Sequence, residues 1–547
     1  LRASREAKPI ENSAADLRYQ KLMNWTRLSP ALPLFFLGFA VLHSSAALAD
    51  WNQWRGPDRN GIATDSGPLV DSFPEEGPAV LWESEPIPSD RDGGHGSVVV
   101  ADGRAYLSLV WHRKVPTEKR QLTQRDLIQL GHRNMGSLSP ELVAKAEEAR
   151  KGLSARLRGK ALEDWAKVWV AEHLNEEQQL SLGSHLISRF RKGRNAIDQS
   201  VLDEVGRIEG RIFENQVAFD LWLDSHDWSE EIRSEVLKVL PTTLEEGDDT
   251  VLCLDAATGE TLWKRQFAGE PTGRNASSTP TVVDGKVFAV GSTSIHCLDA
   301  VSGEPHWSAP LQKGTTASSP LVVDDLVVVL ASELTAYRIS DGSVAWTCKD
   351  VSGIHASPVL WNEEGRPTIV CLGRKEVSGC DPATGELLWQ RPGGGVSTPG
   401  FQGRHLATLS KNGGFQVLRM AEGGHDAIPL WEQKWITRRY HAAPIIHGSH
   451  VFLMGSARHL CVDLETGDQK WMENRESNIS SPILADGKIW VLENRGTLSV
   501  IAADPSEYRL LAQAKLKPMA CPSPTIDEGR LFLRHEDRIV CYDVERR

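Results

Sequence analysis

Cysteine is scarce, with eight in 547 residues, and no Cys-x-x-Cys pair or zinc-like Cys/His spacing occurs. A disulfide scaffold and a structural zinc site are both excluded. Basic residues are outnumbered, 61 Lys and Arg against 73 Asp and Glu for a net charge of -12, so the clustered cationic footprint of a nucleic-acid binder is missing. Long apolar runs are missing too: the longest, Ala31 to Leu42, has twelve residues where a membrane-spanning helix needs roughly 20. The chain has no Gly-x-Ser-x-Gly, no His-Glu-x-x-His and no phosphate loop. Asp90-Arg91-Asp92-Gly93 and Asp58-Arg59-Asn60-Gly61 resemble calcium loops but lack the downstream Glu, so both read as turns. Tyrosine (6) and phenylalanine (13) are outnumbered by tryptophan (18), an inversion that asks for a repeated structural use of Trp. The length is too great for one compact core, so repeats or several domains are required.

The apolar run follows Arg27 and precedes Ala47-Leu48-Ala49, the three parts of a secretory signal peptide. Residues 1–49 are therefore expected to be removed, with cleavage after Ala49 and translation beginning at Met23. No cysteine stands directly after the cleavage point, the first being Cys253, so no lipid anchor and no stable membrane attachment are expected. The product would be periplasmic or secreted, and a monomer.

From residue 79 onward the chain repeats. Ser278-Thr279-Pro280 leading to Asp284-Gly285 returns as Ser318-Ser319-Pro320 leading to Asp324-Asp325, and as Ser480-Ser481-Pro482 leading to Asp486-Gly487. Equivalent prolines at 280, 320, 358, 399, 444, 482 and 524 set a period of about 40. The second half of each unit carries Leu254-Asp255-Ala256-Ala257-Thr258-Gly259-Glu260-Thr261-Leu262-Trp263, echoed at 298–307, 380–389 and 462–471. Alternating runs joined by Asp-Gly turns are strands, and four strands per 40 residues predict a β-propeller. An additional unit begins at His95-Gly96-Ser97, making eight blades, all-β. The eighth lacks a fourth strand, which Ala79-Val80-Leu81-Trp82 is expected to supply from the other end of the chain.

Trp82, Trp263, Trp307, Trp346, Trp389, Trp431 and Trp471 share one repeat position, where a flat ring can wedge against the neighbouring blade. In the seventh blade Leu511 takes roughly that place. Cys253, Cys297, Cys380, Cys461 and Cys541 sit near another single position and read as small buried hydrophobes too far apart to pair, so any disulfide would involve Cys348, Cys371 or Cys521. The expected division is an opening segment at 50–78, the propeller at 79–112 and 248–547, and an α-helical insertion in the first blade at 113–247. Within the insertion, Ser139-Pro140-Glu141 reads as a helix cap. Leu162, Trp165, Trp169 and His173, then Val201, Val205, Ile208, Ile212 and Val217, follow helical spacing.

Three residues before the repeat proline stand His95, His355 and His441, where other blades carry Ser277, Ala317, Val396, Ile479 and Cys521. These positions would ring the mouth of the central channel. With Arg274, Asn275, Arg439 and Asn478 nearby in sequence, they predict a polar funnel for a small anionic molecule or a protein segment, with no nucleic acid and no metal. No catalytic residue is assigned.

The Leu-Asp-Ala-x-Thr-Gly-Glu-x-x-Trp segment coupled to the Ser-Ser-Pro opener and Asp-Gly turn resembles the repeat of the pyrroloquinoline quinone (PQQ)-like propeller superfamily. Trp51-Asn52-Gln53-Trp54-Arg55-Gly56-Pro57 also looks like the opening of exported members common in planctomycete-type bacteria. The superfamily includes quinoprotein alcohol and glucose dehydrogenases and a periplasmic BamB-like propeller that helps insert outer-membrane proteins. For its alcohol-oxidising members the resemblance implies PQQ with calcium, a disulfide between adjacent cysteines, and a catalytic Asp. This chain has no adjacent cysteines, and those calcium and Asp positions find no match in it. The resulting expectation is a non-catalytic binding or scaffolding propeller of the bacterial cell envelope. A PQQ-dependent oxidoreductase is the alternative.

Overall fold

In the computed structural model the described residues are 51–64, 66–87, 93–154, 156–272, 276–312, 316–363, 366–410, 414–422, 425–434 and 442–547. The expected signal peptide lies outside them. Among them no helix is long and apolar enough to cross a membrane.

Eight sheets follow one another along the chain, one for each repeat unit. The second blade shows the plan: Thr281–Val283 innermost, then Lys286–Val290, Ser294–Asp299 and the outer Pro305–Pro310, each antiparallel to the last. Asp284 and Gly285 between its first two strands both have positive φ, 50° and 69°, the type I′ geometry that matches strand twist. In the third blade one strand, Leu326–Arg338, pairs with Leu321–Val323 through its first residues and with Val344–Gly353 through its last. The eighth blade takes its outer strand, Val80–Glu83, from the far end of the chain, paired antiparallel to Ile539–Asp543. That pairing leaves neither end of the repeat array as a bare sheet edge.

Each outer strand carries a β-bulge beside its Trp, so Trp263 opposes Cys253 while Thr261 opposes Leu254. The same register in the seventh blade sets Ala512 against Val500 and Leu510 against Ile501. The residue in the Trp position is thus Ala512 rather than Leu511, because the bulge consumes one residue. Six of the seven indoles donate to a carbonyl of the next blade: Trp82 to Ala256, Trp263 to Ala300, Trp307 to Ile339, Trp346 to Pro382, Trp431 to Leu464 and Trp471 to Asp504.

The insertion is narrower in its helical part than 113–247. Strands Arg104–Pro116 and Thr243–Asp255 stay paired from Arg104–Asp255 out to Pro116–Thr243, forming a two-stranded stalk. Helices occupy Gln124–Leu130 through Glu230–Val239 beyond it. Ser139 caps Pro140–Lys151 by accepting from Leu142 N. Two cores form, one around Leu127, Leu202, Val205, Phe219 and Val236, the other around Ala166, Trp169, Leu186 and Phe190. The stripe read from Val201 to Val217 breaks: the helix ends at Gly206, and Ile212 and Val217 are exposed. Loop residues between two short helices imitated one helical period.

His459, in the third strand of the sixth blade, is fully buried with Nε2 2.8 Å from Ser477 Oγ. Burial pushes its pKa down to about 4, with Glu493 and Arg475 pulling in opposite directions. In the unfolded chain the ring takes a proton near 6.5, so stability is lost as pH falls from about 6.5 to about 4, by on the order of 3 kcal/mol. Urea unfolding at pH 7 and pH 4.5 should show this loss, and His459→Gln should flatten it. An unchanged slope in the variant would assign the acid sensitivity elsewhere.

Candidate functional site

Two residues before each innermost strand stands a Ser or Thr, or Ala443 in the sixth blade, and all but Thr398 donate their backbone N–H to the hydroxyl of the counterpart in the next blade. Ser97 donates to Thr279 (2.8 Å), Thr279 to Ser319 (3.0 Å), Ser319 to Ser357 (2.9 Å) and Ser357 to Thr398 (3.0 Å). Ala443 donates to Ser481 (3.0 Å), Ser481 to Ser523 (3.1 Å), and Ser523 back to Ser97 (2.9 Å). The circuit closes except where Ala443 has no hydroxyl to offer Thr398; there Ser397 Oγ donates to Ala442 O instead (3.2 Å). The repeated Ser-Ser-Pro opener is therefore the seam that holds the channel wall together. Its hydroxyls accept these N–H groups and so keep their own protons for other partners.

The channel is plugged from within by the opening segment. Trp51 O accepts from Val100 N, Asn52 exchanges bonds with Val282 O and N, and Ile62–Ala63 adds a parallel strand to Ile483–Ala485. Arg55 and Arg59 are each 1% exposed. Arg55 donates to the carbonyls of Pro399, Pro444, Asn60 and Arg59, and Arg59 to those of Pro320 and Ser319 and to Gln53 Oε1. The stretch Asp58–Gly61, which resembled a calcium loop, is the turn that aims Arg59 inward, with Gly61 N bonded to Arg55 O. Burial lowers both guanidinium pKa values to about 9, so both remain charged at neutral pH. Among the described residues neither is paired with a carboxylate.

Above the plug lies a cavity of about 260 Å³, with Trp54 on its floor and Ser97, Ser319, Ser357, Thr398, Ser481 and Ser523 on its wall. Its upper wall is the position three residues before the repeat proline: His95, Ser277, Ala317, His355, Val396, Ile479 and Cys521. His95 is buried with Nδ1 3.3 Å from Ala520 O, and burial lowers the pKa of His355. No Asp or Glu lines the described wall. Of the other residues expected here, His441, Arg274, Asn275 and Arg439 lie outside the described residues. Asn478 is off the wall, its Oδ1 bonded instead to Ser480 N (2.7 Å).

The first-blade stalk rises on the face where this cavity opens, because Arg104–Pro116 runs antiparallel to Val99–Ala101 and continues past the cavity end of that strand. Trp54 and the hydroxyl circuit were not assigned to a site from sequence. The signal was there in the recurrence of Ser or Thr before Pro, read only as a blade marker. Ser308, His296 and Asp249 also stand in hydrogen-bonded order, at 2.8 and 3.2 Å. The Ser308–His296 pair holds the cross-strand position that Thr347–Thr335 and Gln390–Ser378 hold in the next two blades. Asp249 fixes Ser292 N (2.7 Å), so the trio clasps the first blade to the second. Among the described residues no group of three His, Cys, Asp or Glu side chains is placed to hold a metal ion.

Radial, mostly four-stranded sheets, a hydroxyl seam broken at one junction and a shared terminal blade define a β-propeller. Residues 247–452 and 429–507 match the family described as outer membrane protein assembly factor BamB. The chain belongs to the PQQ-like repeat β-propeller superfamily. Among solved structures, BamB from Moraxella catarrhalis is similar at 16% identity, over 55% of this chain and 89% of that one, with a TM-score of 0.44. The quinohemoprotein alcohol dehydrogenase from Comamonas testosteroni is similar at 12% identity, over 55% and 73%, with a TM-score of 0.41. No curated protein matches the chain.

Proposed function

We propose that the chain is an exported, non-catalytic binding propeller of the cell envelope that holds an anionic group, from a small molecule or a protein segment, in the cup at its channel mouth. One observation carries this: a cavity walled by hydroxyls and imidazoles, with no described carboxylate, stands over two buried arginine charges that, among the described residues, no carboxylate pairs with. Fixed positive charge in a low-dielectric floor favours an anion above it. The size, about 260 Å³, suits a small ligand or one projecting side chain rather than a large substrate.

Succinate is a suitable probe, with its uncharged diamide as control. Calorimetry should detect succinate and not the diamide, His95→Ala with His355→Ala should weaken binding at least about tenfold, and affinity should rise toward acid pH as His355 gains its proton. Equal binding of the diamide, or binding of neither, would count against an anion cup.

The second reading, a PQQ-dependent oxidoreductase, draws on Trp54, whose indole gives the cavity floor a flat platform. Calcium prefers six to eight oxygen ligands including carboxylates, and the described wall supplies no carboxylate, so the residues present do not fit a calcium-held quinone. Quinone titration with calcium, followed by dye-linked alcohol oxidation, separates the two readings.

A further inference from the structure

Cys348 and Cys380 lie in adjacent blades with their Sγ atoms 3.8 Å apart. Cys348 is on the outer strand of the third blade, two residues after Trp346, and Cys380 ends the third strand of the fourth. Both are buried in one apolar cluster that also holds Cys371. The register makes this junction unusual. Cys380 stands one residue before the turn Asp, where other blades carry Leu254, Leu298, Val462 and Tyr542, and two residues after the Trp position of the blades preceding those stand Ser84, Arg265, Gln433 and Ala514. None of those junctions has a thiol at either position, whereas this one has a thiol at both.

We propose that Cys348 and Cys380 are a modification site: they form a disulfide that staples the third blade to the fourth when the folding chain meets a small-molecule disulfide donor of the glutathione class. The thiolate of one cysteine attacks the donor disulfide, forming a mixed disulfide and releasing one donor thiolate. The second cysteine's thiolate then attacks the protein sulfur of that mixed disulfide and releases the other donor half. Two protein thiols become one disulfide, the donor disulfide becomes two thiols, and the two protons pass to the donor. The sulfurs must close from 3.8 Å to about 2.05 Å, a movement within reach of side-chain rotation between facing strands. Because both thiols are buried, the donor reaches them before the blades pack, so the bond forms fast during refolding and slowly in the native protein.

The full chain, refolded with oxidised glutathione and then denatured without reductant, should expose two fewer thiols to alkylation than the eight of the reduced chain. Peptide mapping should recover a fragment joining Cys348 to Cys380, about 2 Da lighter than the sum of its reduced parts. Cys371→Ser should keep the link and Cys348→Ser should abolish it. Alkylation of all eight thiols, or a link through Cys371, would overturn the assignment. The wild-type map alone decides the matter should the Cys348 variant fail to fold.

Discussion

Arg55→Met should destabilise the propeller by about 4 kcal/mol and release the opening segment from the channel. The arginine donates to four carbonyls: Asn60 and Pro444 at 2.8 Å, Pro399 at 3.1 Å and Arg59 at 3.3 Å. Two of these, Pro399 and Pro444, immediately precede the innermost strands of the fifth and sixth blades, more than 340 residues away in sequence. Methionine keeps the stem but leaves every one of those buried acceptors unmet, each a desolvation cost of roughly 1–3 kcal/mol before relaxation. Removing a buried charge returns part of that, which is why the expected loss is below the sum. Arg55→Lys should lose nearly as much, since one ammonium cannot reproduce a planar fork that reaches both prolyl carbonyls. Urea unfolding measures the loss. Hydrogen exchange at Val100 and Val282, whose amides donate to Trp51 and Asn52, reports whether the plug has left. A variant with wild-type stability and protection would show that the strand pairing of Ile62–Ala63 holds the segment unaided.

That role could not be read from Trp51-Asn52-Gln53-Trp54-Arg55-Gly56-Pro57 itself. Its partners are backbone carbonyls, which carry no side-chain signature, and they come from several blades at once. What recurs was legible: the 40-residue period, the strand lent by Ala79–Trp82, the indole stripe, and the ring position holding His95 and His355. Features that occur once resisted. The stalk looked like the start of the insertion because Arg113 to Pro116 leave the blade without leaving the strand. Ala512 was missed in favour of Leu511 because a bulge shifts register by one, and only pairing reveals a bulge.

The indole stripe yields the other large expected effect. Gly303 lies at φ +69°, and a Cβ built on it would sit 2.5 Å from Cδ2 and 2.6 Å from Cε3 of Trp263. The same approach joins Gly259 to Trp82, Gly342 to Trp307, Gly385 to Trp346 and Gly467 to Trp431. The glycine of the Thr-Gly turn thus serves two needs, left-handed backbone and a floor thin enough for an indole. Trp263→Ala should cost about 3–5 kcal/mol through the vacated volume. Gly303→Ala should cost about 2–4 kcal/mol, because a ring held by its own bond to Ala300 O at 3.1 Å cannot retreat cheaply. Combined, they should cost distinctly less than the sum, since the methyl then enters space the indole has left. Strict additivity in a urea double-mutant cycle would mean the two residues do not share that space. The fold already contains related exchanges. Where the seventh blade presents Ala512, the eighth has Val544-Glu545 after Asp543 and no glycine turn. Where Trp471 meets the seventh blade, whose turn Asp504-Pro505-Ser506-Glu507 also lacks glycine, Tyr508 packs edge-on against the indole at 5.5 Å. Indole and glycine are therefore one element of the repeat, and the blade junctions that drop one of them have rebuilt the contact.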